Sequence, residues 1–85
     1  MDKQAIEAVI NDALALDELH VTVDGSHVAI IAVGAVFENV NRVKKQQLVY
    51  NPLKPSIESG EIHAVSIKSY TPAEWEKDKK LVLPS

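Results

Sequence analysis

Three histidines, His20, His27 and His63, carry the side chains best suited to chemistry near neutral pH, and the 85-residue chain contains no cysteine. A neutral imidazole can pass a proton or donate a lone pair to a metal. The three rings do not sit at the short spacings of a local metal site, so His27 and His63 meet only if the fold brings them together. Read as residues alone, His63 is a partly buried strand histidine with one hydrogen bond, His27 a strand-edge residue facing solvent, and His20 a surface strand residue. The missing thiols exclude disulfides, zinc fingers and any thiolate-only cluster. Ser66 and Ser69 lie outside any nucleophile elbow, and no phosphate-binding loop, dinucleotide fingerprint or H-E-x-x-H pair is present. The chain is therefore expected not to be an enzyme. One cationic cluster, Arg42, Lys44 and Lys45, is suited to phosphates or to an acidic partner surface. It also reads as a solvated helix start, although cations at a helix N-terminus oppose the dipole and add no stability there. A net charge of −3 argues against general nucleic-acid binding. The G-x-x-G clamp of RNA-binding KH modules is absent.

The elements that must position these groups follow from periodicity. Ile6, Val9, Ile10, Ala13 and Leu14 mark one face of an amphipathic helix that Asp2 caps. His20–Val23 and His27–Val33 form a hairpin around an Asp24-Gly25 turn. The second strand is almost continuously apolar, as in a central strand buried on both faces. Gly34 ends it, and Val36 and Phe37 anchor the connection. Asn41 caps a second helix, where Val43 and Tyr50 share a face. Pro52 is expected to end or kink this helix, with a short helical turn at Leu53–Ile57 before Ser59-Gly60. Ile62–Tyr70 reads as the third strand, with His63, Val65, Ile67 and Ser69 on one face. Thr71-Pro72-Ala73-Glu74 is a capping box with proline at the first helical position, and Tyr70 and Trp75 are placed for a hydrophobic staple. The last helix should fray over Lys77–Lys80, leaving residues 77–85 as a loose tail.

The order helix, strand, strand, helix, strand, helix implies an α+β fold. A three-stranded mixed sheet is covered by helices, because a hairpin gives an antiparallel pair and a helical crossover permits a parallel one. This is a class II KH-like arrangement. At this length residues 1–85 form one domain. The N-terminal residues lack the apolar stretch of a signal peptide, and Val28–Val33 is too short to span a bilayer. The expectation is a cytoplasmic chain with no membrane contact, monomeric in isolation.

Three blocks, VDGSHVAIIAVG (23–34), RVKKQQLVYNPL (42–53) and IHAVSIKSYTPAEW (62–75), resemble the BolA family, most closely its IbaG-like members. The resemblance runs from about Ala5 to Trp75. It implies a partner, a monothiol glutaredoxin, and a 2Fe–2S cluster shared with that partner and glutathione, none being expected on the isolated chain. His63 matches the family's ligand histidine, and His27 is the one candidate for the second ligand near a hairpin loop that is short here. The resemblance also implies a role in iron–sulfur trafficking or the response to iron or acid stress. The alternative it implies is a DNA-binding stress regulator acting through Arg42, Lys44 and Lys45, with weak binding to DNA.

Overall fold

The computed structural model describes residues 2–82. Its elements are α1 (Lys3–Ala13), β1 (Glu18–Asp24), β2 (His27–Val33), a 3-10 turn at Ala35–Phe37, α2 (Arg42–Glu58), β3 (Ala64–Tyr70) and α3 (Pro72–Val82). The sheet order is β1-β2-β3, antiparallel between β1 and β2 and parallel between β2 and β3. This is the α+β order expected from the sequence.

Strand alternation divides the sheet into two faces. On the inner face Val21, Val28, Ile30 and Ala32 are buried against Ile6 and Ile10 of α1 and Val49 and Leu53 of α2. Phe37 and Ile62 close the ends of this core, both at most 2% exposed. Each such side chain contributes about 1.5–3 kcal/mol by leaving water. The outer face is covered only in part. Residues β2 turns outward include His27 and Ala29, which are exposed, so this central strand is not buried on both faces. Its apolar run serves the inner face along its whole length and the outer face only near Val33, which is 2% exposed.

Local chemistry explains the helix boundaries. The Asp2 carboxylate accepts from the Ala5 amide at 2.8 Å, and the Asn41 side chain from the Lys44 amide at 2.8 Å. Both are N-caps that satisfy otherwise orphaned donors. α2 does not end at Pro52. It continues through Pro52 and Pro55 to Glu58 and absorbs the separate turn expected at Leu53–Ile57. Each proline removes one intrahelical donor, but Val49 and Leu53 are fully buried on this helix and Ile57 packs beside them. Their packing carries the helix past both breaks. α2 closes on Gly60, whose φ of 85° suits glycine. Gly60 and Glu61 amides return to the Ile57 and Ser56 carbonyls at 3.2 and 3.0 Å, the paired bonds of a Schellman motif.

At α3 the capping box forms in full. The Thr71 amide donates to Glu74 Oε1 at 2.8 Å, and the Glu74 amide donates to Thr71 Oγ1 at 3.2 Å. Tyr70 and Trp75 pack with ring centroids 5.2 Å apart and planes tilted by 50°, which completes the staple. The helix runs through Lys77–Lys80 to Val82 rather than fraying there. The remainder of the expected tail, residues 83–85, lies outside the described residues. Thr71→Ala should cost about 1 kcal/mol in thermal or denaturant unfolding, the usual loss for an N-cap. An unchanged transition would mean that the box contributes nothing to stability.

Candidate functional site

The hairpin turn is shifted by one residue from the Asp24-Gly25 turn read in the sequence. Asp24 pairs with His27, so Gly25 and Ser26 are the two loop residues. Gly25 has φ 62°, while Ser26 is not among the positive-φ residues, as in a type II′ turn. This places His27 on the first rung of β2. In the parallel ladder His27 is opposite Ala64. β3 itself begins at Ala64, two residues later than expected, because Glu61 and Ile62 are still tied to the Ser56 carbonyl at the end of α2. His63 therefore stands just before the strand.

One carbonyl joins the two segments. Ser26 O accepts from the His63 amide at 3.1 Å and from the Ala64 amide at 3.4 Å. The two histidines, 36 positions apart in the chain, thus flank the same end of the β2–β3 ladder. Both are exposed, and among the described residues neither ring makes a hydrogen bond. His63 is not the partly buried, hydrogen-bonded strand residue that its neighbours suggest. Its Nε2 lies over Gly60, where a Cβ would stand 4.0 Å away. His27 borders a shallow cleft of about 250 Å³ on the outer sheet face, with Thr22, Asp24, Ala29, Ala64 and Ser66.

This donor set decides what the site can hold. Among the described residues no group of three or more His, Cys, Asp and Glu side chains is arranged to bind a metal. What the two segments offer at this end of the ladder is two exposed imidazoles with unengaged ring nitrogens.

His20 has a different task. It is half-buried against α3, its ring 5.7 Å from that of Trp75, and its Nε2 lies 2.6 Å from Glu18 Oε2. The same Glu18 oxygen accepts from Trp75 Nε1 at 3.0 Å. Trp75 is 3% exposed. This cluster fastens α3 over the end of the outer sheet face remote from His27 and leaves the His27 end open. Sequence reasoning explained Trp75 by the staple alone and missed its bond to β1.

The three cations of the basic cluster are not equally free. Arg42 and Lys44 are exposed, but Lys45 reaches Glu74 on α3 at 3.2 Å and its side chain is only 17% exposed. The Thr71 amide, and after it the Lys45 ammonium, hold the Glu74 carboxyl below its ordinary range. A lowered carboxyl pKa gives stability that is complete above the unfolded value, 4.5, and is lost as pH falls through the folded one. Glu74→Gln should therefore unfold more easily than the unsubstituted chain near neutrality. The difference should shrink below about pH 4.5. A difference that stays constant across this range would remove the Glu74 charge as its source. The effect should be small because the carboxylate is half exposed.

A BolA-like protein family model matches residues 4–74. The chain belongs to the BolA family. It is 56% identical over 81 residues to the acid stress protein IbaG of Escherichia coli, covering 95% of this chain and 96% of that protein. It is 50% identical over 80 residues to an uncharacterized protein of Buchnera aphidicola, covering 94% of this chain and all of the other. These relatives place it on the IbaG-like branch. Among solved structures, BolA1 of Arabidopsis thaliana is 31% identical with a TM-score of 0.75, over 84% of this chain and 92% of that one. BolA1 of Mus musculus is 27% identical with a TM-score of 0.77, over 96% and 75% of the two chains. This BolA fold accounts for the parallel crossover that sets His63 beside the β1–β2 turn. No helix among the described residues is long and apolar enough to cross a membrane.

Proposed function

We propose that this BolA-family chain is a non-catalytic adaptor that pairs with a monothiol glutaredoxin and co-ligates a bridging 2Fe–2S cluster. In this reading it serves iron–sulfur trafficking or the response to iron or acid stress in the cytoplasm. The observation that carries the reading is the Ser26 carbonyl shared by the His63 and Ala64 amides, which sets two exposed, unengaged histidines at one open end of the sheet. His63 would be the principal nitrogen ligand and His27 the second. The partner thiolate and the thiol of bound glutathione would complete the set. A cluster held by mixed sulfur and nitrogen ligands has a higher potential than one held by thiolates alone. The chain's own residues orient the donors: the type II′ turn fixes His27, and the Schellman turn at Gly60 delivers His63. The stress role is supported by the name of the E. coli relative, an acid stress protein.

The test is size-exclusion chromatography of the chain with a glutathione-loaded, cluster-bearing monothiol glutaredoxin, with iron and sulfide assayed across the profile. Both proteins, iron and sulfide should elute together, and the chain alone should carry neither. Separate elution of the two proteins would sink the adaptor reading. DNA ranks second, since Lys45 is already paired with Glu74 and the net charge is −3.

A further inference from the structure

β3 is an edge strand, and among the described residues no further strand pairs with its outer side. The Tyr70 carbonyl accepts from Gly34, and the Ala64 amide donates to Ser26, so these residues direct their backbone groups toward β2. By alternation the N–H and C=O groups of Val65, Ile67 and Ser69 point to the open edge. Those three residues face inward with their side chains, yet all are only partly buried, because α2 stops short of covering them. Ser69 Oγ is buried without a hydrogen-bond partner among the described residues.

Two adjoining clefts run between this edge and α2. One, of about 360 Å³, is lined by Val43, Tyr50, Val65 and Ile67 together with two glutamines. Val43 is 66% exposed although apolar. The other, of about 420 Å³, adds Arg42, Lys45, Lys68, Ser69 and Tyr70. Among the described residues no carboxylate lines either cleft, although Glu74 stands 3.2 Å from the Lys45 ammonium. The groove therefore has an apolar stretch made by Val43 and Tyr50 of α2 with Val65 and Ile67 of β3, free backbone along its floor, and cations at one end and on the outer face.

We propose that this groove docks an extended acidic segment of a partner protein, which joins the sheet as a fourth strand. A strand added at this edge alternates its side chains between the two faces. Those turned inward meet Val43, Tyr50 and Ile67, which suits β-branched residues. Those turned outward meet Lys68, and the end of the strand meets Arg42, which suits Glu and Asp. Lys68, an exposed cation on this edge strand, also disfavours pairing of the edge with a second copy. A nucleic acid would leave the apolar stretch and the edge amides without partners. The proposal stands apart from the glutaredoxin reading, because it uses neither histidine.

The probe is a blocked synthetic peptide of alternating Glu and Val, titrated into the isotope-labelled full chain and followed by NMR. Saturable shifts and slowed amide exchange at Val65, Ile67 and Ser69 are expected. The double variant Arg42→Glu, Lys68→Glu changes exposed residues only and should fold. It should bind about tenfold more weakly or worse, while His63→Ala should bind as the unsubstituted chain does. A Lys-Val peptide should not compete. Three results would overturn the proposal: no shifts along β3, affinity indifferent to the charge reversal, or tighter binding of a single-stranded oligonucleotide than of the peptide at the same residues.

Discussion

Replacing His63 with alanine should erase the spectrum specific to the mixed complex and leave the fold intact. The side chain is exposed and makes no hydrogen bond among the described residues, so its loss should change stability by no more than about 0.5 kcal/mol. Its backbone amide, which bonds the Ser26 carbonyl, survives the substitution. The effect should therefore be confined to ligation, and visible circular dichroism beside thermal unfolding separates the two. His27→Ala should have the smaller spectral effect. An unchanged mixed-complex spectrum in His63→Ala would remove that residue as a ligand, and a larger effect from His27→Ala would reverse the order of the two.

Trp75→Ala should produce the opposite pattern. Trp75 is buried, packs against the Tyr70 ring, and donates through Nε1 to Glu18 at 3.0 Å. Truncating a buried aromatic costs about 3–5 kcal/mol. At about 4–8 °C per kcal/mol for a domain of this size, the melting temperature should fall by well over 10 °C. α3 should lose its hold on β1, with amide exchange rising first across α3. Trp75→Phe keeps one aromatic ring but loses the bond to Glu18 and part of the buried indole, so it should cost less than alanine, with the lost bond on the order of 1 kcal/mol. An alanine variant as stable as the parent would mean that the Glu18–Trp75 contact does not hold α3 in place.

These two residues mark what can and cannot be read from the chain. The capping box at Thr71 and Glu74 was legible because its partners lie within one helical turn, and the same holds for the caps at Asp2 and Asn41. The element order was legible because apolar periodicity changes where the elements change. The bond between Glu18 and Trp75 spans 57 positions and has no local signature. Nor does the Lys45–Glu74 pair, which spans 29. Pro52 misleads for a related reason: its local cost is plain in the sequence, whereas the burial of Val49 and Leu53 that offsets it is not. The candidate site was half legible. Both histidines could be named, but their placement at one end of the ladder depends on the parallel register that sets His27 opposite Ala64. The start of β3 was misplaced because the Schellman turn holds Glu61 and Ile62 back from the strand.

The most direct test of the adaptor reading is a titration of a cluster-bearing monothiol glutaredoxin with this chain, followed by visible circular dichroism. The account predicts that the glutaredoxin spectrum gives way to a new one, which saturates once the two proteins are equimolar. A spectrum that stays that of the glutaredoxin alone at every ratio would contradict it.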